Sequence, residues 1–283
     1  MLIVTGSTGQ LGGRVARRLA AAGTAQRLLV RDPSRALELN KAEVVQAEYA
    51  DSAAAFDALA GGDVLFMVSG SEAPDRVAQH RAFIDAAADA GIGHIVYTSF
   101  YGAAADATFT LARDHYATEQ HIRGSGMNWT FLRDNLYLDI LPLLAGEDGV
   151  IRGPAGQGRV GAVALDDIAD AAAAVLTNPR AHQAQTYDLT GPTAITLAEV
   201  ARTISEATGR HITYHAETIS EAYASRAGYD APDWQLDAWV STYTAIAAGD
   251  LAGISGDVEQ LTGHTPISLA ELLTRRSGEQ PGA

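Results

Sequence analysis

The chain has 283 residues, 47% of them hydrophobic, which is enough to bury a substantial core in one large domain or in two smaller ones. A net charge of −14 excludes nucleic acid as a partner, because phosphate backbones are bound by clustered cations, and the absence of cysteine excludes disulfides, thiol nucleophiles and cysteine-ligated metals. No apolar run approaches the ~20 residues of a membrane helix, and the sequence starts without a secretion signal, so we expect a cytoplasmic protein with no membrane contact.

The first 31 residues combine an apolar strand, a glycine-rich turn, an amphipathic helix and a second strand, which together are one βαβ unit. The turn has the spacing G-x-x-G-x-x-G at Gly6, Gly9 and Gly12. Gly6 lets the chain turn off the strand, Gly9 lets backbone approach a pyrophosphate, and Gly12 lets the helix pack closely on the sheet. Because a strand precedes the turn and a helix follows it, we predict a dinucleotide-binding turn rather than a purely structural one.

The second strand ends at Arg31. An NAD site usually has Asp or Glu at this position for the ribose 2′-OH, whereas NADP requires a cation for its 2′-phosphate. Arg31 therefore predicts NADP(H) as the cofactor, with NAD as the alternative because Asp32 is adjacent. Arg35 lies one helical turn further and is explained equally well as an ordinary exposed charge.

Strands and helices then alternate as far as residue 133. We predict further strands at 44–48, 64–68, 94–98 and 129–133 and helices at 52–59, 74–90 and 111–124. This rhythm is typical of an α/β fold, a Rossmann-type doubly wound parallel sheet.

Beyond residue 135 the alternation loosens. Residues 146–161 are rich in Pro and Gly and are predicted to form a loop near the cofactor or the substrate, and Asp166 and Asp167 are expected to cap the helix that follows. We expect residues 1–150 to form the NADP-binding domain, residues 160–190 to return to it, and residues 191–283 to form a small C-terminal α/β substrate-binding domain.

In an open α/β sheet, ligands bind beyond the carboxyl ends of the strands, and this geometry nominates the cofactor site. The predicted cofactor-binding residues are Gly6, Thr8, Gly9, Gln10, Leu11, Gly12, Arg31, Glu48, Tyr49, Val68, Ser69, Gly70, Thr98 and His115.

The usual proton donor of a nicotinamide-dependent reductase is absent. Such enzymes commonly place a Ser after the fifth strand and Y-x-x-x-K on the next helix, where the lysine lowers the pKa of the tyrosine. Ser99 is in place, but Lys41 is the only lysine and it does not follow a tyrosine at this spacing. Another group must therefore donate the proton, or the reaction must proceed without a dedicated proton donor.

Several residues near the predicted strand ends are candidate substitutes. His115 can hold the nicotinamide ribose or donate a proton near neutral pH, with Glu119 one turn later as a candidate to orient it; a packed histidine and a plain helical pair are the alternatives. The predicted catalytic residues are His115, Ser99, Tyr101 and Asn135, and the predicted substrate residues are Tyr101, Asn135, Tyr137 and Trp239. No metal site is expected, because His211 and His215 lie four apart on a predicted strand.

Five segments carry a family resemblance: residues 5–12 (TGSTGQLG), 30–33 (VRDP), 97–99 (YTS), 115–119 (HYATE) and 130–137 (TFLRDNLY). They resemble the NmrA-like group of atypical short-chain dehydrogenases, most closely its quinone oxidoreductase 2 and triphenylmethane reductase branch. The resemblance implies an NADPH-binding domain with a small substrate domain, reduction of quinones or quinone-like conjugated compounds, and His115 in place of the usual lysine. The resemblance also implies that Glu48 and Tyr49 contact the adenine. Relatives tend to have Asp before the tyrosine, so Glu48 is a departure from the pattern at one of these two positions.

The leading hypothesis is an NADPH-dependent oxidoreductase that transfers hydride to a quinone or a similar small molecule, acting as a monomer or homodimer. One alternative is a non-catalytic redox sensor of the NmrA kind, which the missing dyad motivates. The other is a pathway-specific reductase or isomerase of a phenolic or polyketide-like metabolite.

Overall fold

The structure is a computed structural model that describes residues 1–279, with side chains described as far as Arg276. Residues 280–283, the end of the expected substrate domain, lie outside the described residues. The strands in chain order are β1 (Leu2–Thr5), β2 (Gln26–Val30), β3 (Ala42–Gln46), β4 (Val64–Met67), β5 (His94–Phe100), β6 (Asn128–Asp134), β7 (Val150–Gly153), β8 (Arg159–Val160), β9 (Gln185–Leu189), β10 (Ile195–Thr196) and β11 (Thr213–Ala216).

Ten α-helices and four short 3-10 helices connect these strands within residues 1–279. The α-helices are α1 (Gln10–Ala21), α2 (Ser52–Leu59), α3 (Arg76–Asp89), α4 (Thr110–Gly124), α5 (Leu165–Thr177), α6 (Leu197–Thr208), α7 (Ile219–Arg226), α8 (Asp233–Ala248), α9 (Asp257–Thr262) and α10 (Leu269–Glu279). The 3-10 helices are Pro33–Arg35, Leu138–Leu144, Pro179–His182 and Ala227–Tyr229. No helix in this part of the chain is both long and apolar enough to cross a membrane.

Seven parallel strands form the central sheet in the order β3-β2-β1-β4-β5-β6-β9. All seven residues of β5 are buried, as expected for a strand covered on both faces. One apolar cluster packs α1 and α5 on one face, and a second packs α2, α3 and α4 on the other. The predicted doubly wound fold is confirmed, and the strand order reverses between β1 and β4, where ligands bind in such sheets.

A third apolar cluster lies in the C-terminal part and extends to the end of β5 and the start of α4. It joins β7, α6 and the end of α8 to α10. Two small sheets lie here, β7 with β11 in parallel and β8 with β10 in antiparallel. The prediction of a loop at 146–161 is therefore wrong in part, because buried Ile151 and Val160 lie in short strands that pair with distant segments. The boundary at residue 191 stays a prediction, and α9 packs back against α5.

The start of α5 is capped from outside the helix. Its N-cap residue, Ala164, has no side chain that can cap, and the Leu165 N–H donates instead to Asp139 Oδ2 at 2.8 Å. Asp139 Oδ1 also accepts from Arg276 Nη2 at 2.5 Å. The predicted caps are wrong because Asp166 pairs with arginines of α1 and Asp167 accepts from the Ile267 N–H.

We expect Asp139→Ala to lower the free energy of unfolding by about 2–4 kcal/mol, because the change leaves a buried N–H and an arginine without their acceptor. Urea denaturation of the variant and the wild type measures the difference. Asp139→Asn is the matched control: it keeps an acceptor for Leu165, so its loss should be smaller. A change below about 0.5 kcal/mol for Asp139→Ala would show that the Asp139 side chain does not stabilise the start of α5.

Candidate cofactor and substrate site

The glycine turn brings the N-terminus of α1 to the carboxyl edge of the sheet. Gly6 has φ +62°, which disfavours other residues. A Cβ at Gly12 would lie 2.3 Å from the Gly6 carbonyl oxygen, so α1 packs against the turn only with glycine there. Gly9 is the N-cap and no side chain caps the helix. The first N–H groups of α1 are therefore available to an anion.

A cavity of about 570 Å³ lies along this edge. Its wall includes every predicted cofactor residue except Thr98 and His115. The remaining wall residues are Thr5, Leu29, Val30, Arg35, Ala47, Ala50, Ser71, Glu72, Ala73 and Gln79. The volume lies within the range of about 300–1,000 Å³ that small-molecule and cofactor sites occupy.

Two cations mark the end of β2 in the cavity wall, which also contains Glu48 and Glu72. Arg31 and Arg35 both line the cavity and are exposed. The Asp32 carboxylate instead accepts from Ser34 N at 3.0 Å and from Ser34 Oγ at 2.7 Å, and these bonds lower the pKa of Asp32. Asp32 thus caps the turn that follows and is not among the wall residues. This donor set fits a dinucleotide with an additional phosphate.

The loop after β4 forms the opposite wall, and three side chains hold it by hydrogen bonds to its backbone. The Ser69 N–H donates to Thr98 Oγ1, and the Gly70 N–H donates to His80 Nε2, each at 2.9 Å. Arg76 Nε donates to the Gly70 carbonyl at 3.0 Å. Thr98 therefore positions the loop and is not itself part of the cavity wall.

His115 lies behind this loop in a buried network, with only 7% of its surface exposed. Its Nε2 is 3.0 Å from Arg76 Nη2, and its Nδ1 is 3.0 Å from the Tyr97 hydroxyl. A guanidinium can only donate, so Nε2 accepts and Nδ1 carries the proton. Arg76 also lies 3.5 Å from Asp114 Oδ2.

Both histidines of the network are neutral. Burial and the charge of Arg76 lower the pKa of His80 to about 3, and the same two causes, in that order, hold the pKa of His115 well below its usual value. Burial raises the pKa of Tyr97. A proton-donating imidazolium at His115, one of the two roles considered from the sequence, is therefore disfavoured.

Glu119 does not orient His115, and that prediction is wrong. The Glu119 side chain is fully buried and accepts from Ser99 Oγ at 2.6 Å. Arg133 adds two bonds, from Nε at 2.8 Å and from Nη2 at 2.7 Å. A bidentate guanidinium from the neighbouring strand is a stronger partner than an imidazole one helical turn away. The Ser99 hydroxyl is thereby directed to Glu119.

The residues after β6 are largely buried. Asn135 is fully buried, donates to the Leu251 carbonyl at 3.0 Å and accepts from the Leu136 N–H at 2.8 Å. Its amide is thus used at both ends, so contact with a substrate would require this loop to rearrange. The Tyr137 hydroxyl lies 3.3 Å from Asp134 Oδ2, and burial raises the pKa of both groups well above their usual values. Burial thus favours the protonated form of Asp134.

A second cavity, of about 370 Å³, opens beyond the end of β5. Tyr101 and Phe109 provide aromatic walls, with Ala112, Ala245 and Leu251 among the other wall residues. Of the predicted substrate residues, only Tyr101 lies in this wall. Trp239 packs edge-on against Tyr229 with ring centroids 5.9 Å apart and lies in neither cavity wall.

Arg76 and His80 were missed from the sequence. Both lie in the first turns of α3, four residues apart, a short way after the predicted strand at 64–68 and the loop at Gly70. Basic residues that are buried on the inner face of a helix are unusual, and their position beside a ligand-binding loop was the available signal.

The sequence matches the model of a family described as NAD(P)H-binding over residues 6–179. An NAD(P)H azoreductase from Xenophilus azovorans is 35% identical, with 96% of each chain covered. Quinone oxidoreductase 2 from Escherichia coli is 34% identical over 97% of this chain and 98% of that protein. The solved structure of the Escherichia coli NADPH-dependent quinone oxidoreductase with NADPH has a TM-score of 0.89, 33% identity and coverage of 98% and 100%. Triphenylmethane reductase from Citrobacter with NADP(H) has a TM-score of 0.86, 31% identity and coverage of 97% and 99%. The predicted resemblance and cofactor class are confirmed.

The neutral state of His80 predicts a pH dependence of stability. The unfolded chain takes up a proton near pH 6.5, whereas folded His80 does so only near pH 3. The free energy of unfolding should therefore fall by about 1.4 kcal/mol per pH unit for this residue as the pH drops from 6.5 towards 3. Guanidinium denaturation between pH 4.5 and 7 measures the slope.

His80→Gln is the matched variant, because its side-chain oxygen can still accept from Gly70 but does not titrate. Its slope should be shallower than that of the wild type by the equivalent of one proton. Identical slopes for the two proteins would show that His80 does not resist protonation in the folded state.

Proposed function

The chain belongs to the NAD(P)H-binding family, and within it we propose an NADPH-dependent reductase that transfers hydride to a quinone or a quinone-like conjugated small molecule. The azoreductase and quinone oxidoreductase relatives support NAD(P)H-dependent reduction over nearly the whole chain. The nature of the acceptor is inferred from the chemistry of the site.

The observation that carries the proposal is the neutral, buried His115 in a site without a Tyr–Lys dyad. Reduction of a simple ketone produces an alkoxide, which is so basic that an acid must protonate it as it forms. A quinone that accepts hydride becomes a hydroquinone anion, whose oxygen resembles a phenolate with a pKa of about 10. Such an acceptor does not depend on a strong acid at the site. It is therefore the acceptor that best suits these residues.

The cofactor supplies hydride when it is bound, and the chain supplies position and charge. The N–H groups at the start of α1 would hold the pyrophosphate, and Arg31 with Arg35 would hold the 2′-phosphate. The network of Arg76, His80 and His115 keeps the loop at Gly70 in place beside the reacting end.

The acceptor is proposed to occupy the cavity at the end of β5. Aromatic walls from Tyr101 and Phe109 suit the face of a planar ring, and a volume of about 370 Å³ suits a small ring system. The proton for the reduced acceptor can come from water.

The direct test mixes the protein with NADPH and a panel of simple quinones, and follows the loss of nicotinamide absorbance. We expect turnover with quinones and none above background with aliphatic ketones of similar size. Turnover confined to ketones would contradict the proposal. Absence of turnover with any quinone, together with tight and equal binding of NADPH and NADP⁺, would instead favour the redox-sensor alternative.

The preference for NADPH is proposed to rest on Arg31. Arg31→Ala should raise the Kd for NADPH by about 10- to 100-fold, since one charge-assisted bond to a phosphate contributes about 1.5–3 kcal/mol. The Kd for NADH should change little, and fluorescence titration measures both. Arg17→Ala, an exposed α1 arginine outside the cavity wall, is the control. An equal loss for NADH and NADPH would contradict the role of Arg31.

A further inference from the structure

Three side chains converge on the C-terminal half of the molecule, outside both cavities. Asp167 and Asp170 lie on α5, and His264 lies in the turn between α9 and α10. One potential ligand atom from each lies within 4.8 Å of the other two. His264 and Asp170 are 94 residues apart, so no local pattern could reveal the cluster. The sequence-based expectation of no metal site considered only His211 and His215.

Each of the three side chains is anchored through the atom that faces away from the cluster. Asp167 Oδ2 accepts from the Ile267 N–H at 2.7 Å, and Asp170 Oδ1 accepts from Arg18 Nε. His264 Nδ1 lies 3.1 Å from the Thr265 carbonyl oxygen and must donate to it, and Nε2 lies 3.3 Å from Asp170 Oδ2, where a metal ion would replace the proton of an imidazolium. Outer contacts of this kind orient the ligands of a metal ion.

The remaining oxygen of Asp167 has no hydrogen-bond partner. The Asp167 side chain is fully buried, and its Oδ1 lies 4.0 Å from His264 Nδ1, beyond hydrogen-bond distance. A buried carboxylate oxygen without a partner carries a free-energy penalty that a bound cation would relieve. This observation is independent of the clustering, because it concerns an unsatisfied atom that points into the site.

The geometry points to a binding site for one divalent transition-metal ion, of which Zn²⁺ is the type, with Asp167 Oδ1, Asp170 Oδ2 and His264 Nε2 as its protein ligands. Asp170 Oδ2 and His264 Nε2 are 3.3 Å apart. Two ligands at about 2.0–2.1 Å from one tetrahedral ion are separated by about 3.3–3.4 Å, so this pair already has the required spacing. Asp167 Oδ1, which lies 4.0 Å from His264 Nδ1, would have to move towards Nε2 to complete the site.

The local charges permit a cation. Asp166, Asp167 and Asp170 face Arg14 and Arg18, which leaves one uncompensated negative charge while His264 is neutral. The exposed edges of Asp170 and His264 leave room for water at the fourth position. Arg18 holds the outer oxygen of Asp170, so it supports the ligand without occupying the site. Without metal, an imidazolium at His264 would take the place of the ion.

The ion would join two parts of the chain. Asp167 and Asp170 belong to the helix that packs on α1, whereas His264 precedes α10, whose Leu269 and Leu272 lie in the C-terminal apolar cluster. A bound ion would therefore hold the C-terminal segment on the cofactor-binding domain. It is not required for hydride transfer, so its test does not depend on the proposed reaction.

The experiment uses full-length protein without a histidine tag, treated with EDTA and desalted, and titrated with ZnSO₄ by calorimetry at pH 7.5. We expect one Zn²⁺ per chain and a higher Tm in its presence. Co²⁺ should give visible absorption bands from a site of low coordination number. His264→Ala and Asp170→Asn should each weaken Zn²⁺ binding by more than about tenfold, which is the smallest effect seen for outer contacts alone.

Asp166→Asn is a graded comparison, since Asp166 lies on the same helix and pairs with Arg18 but is not a proposed ligand. It removes one of the negative charges near the site, so it should weaken Zn²⁺ binding less than Asp170→Asn does. His211→Ala is the control for an exposed histidine elsewhere and should bind Zn²⁺ as the wild type does. The rise in Tm on adding Zn²⁺ is compared within each variant. A loss of stability caused by the substitution is therefore not mistaken for a loss of metal binding. No saturable binding by the wild type below about 100 µM, or equal binding by His264→Ala and wild type, would overturn the proposal.

Discussion

The close approach of α1 to the backbone of the turn before it is the constraint on which the site depends. At 2.3 Å from the Gly6 carbonyl, the position of a Cβ on Gly12 is closed to every other residue, so the helix axis is fixed relative to β1. That contact brings uncapped N–H groups to the carboxyl edge of the sheet, at the place where the strand order reverses. The phosphate site, the cation at the end of β2 and the loop after β4 are all located relative to this one contact.

The cavity wall formed by the loop after β4 depends on His80 staying uncharged. The loop at Gly70 is held by an imidazole that accepts and a guanidinium that donates, so a proton on His80 would remove one of its anchors. Arg76 serves both ends of this arrangement, because it binds the loop and, after burial, is the second cause that lowers the pKa of His115. The charge that stabilises the loop thus adds to the burial that disfavours a proton-donating imidazolium at His115. This coupling favours acceptors that need no such acid.

The features predictable from the sequence are those encoded within a short stretch of chain. Glycine spacing, strand alternation and Arg31 all lie in or follow directly from single βα units, and they predicted the doubly wound sheet and most of the cavity wall. Glu119 shows the limit of such predictions. Helical spacing predicted that it lies beside His115, but the register of β5 and β6 brings Arg133 to it as a bidentate partner, and no spacing rule reveals that contact. The cap of α5 by Asp139 and the strands within 146–161 likewise depend on segments that only tertiary packing brings together.

The C-terminal segment is attached to the cofactor-binding domain by apolar packing of α9 against α5 and by a set of carboxylates. Asp139 accepts from Arg276, Asp167 accepts from the Ile267 N–H, and Asp170 accepts from His264. The apolar side chains of α10 pack within the C-terminal cluster. Apolar packing varies little with pH or ionic strength, whereas hydrogen-bonded carboxylates respond to protons, salt and metal ions. These carboxylates make the contact between the two parts of the chain sensitive to solution conditions. Leu251, in the wall of the second cavity, belongs to the same apolar cluster as the side chains of α10, so the proposed acceptor site and this contact share one packed core.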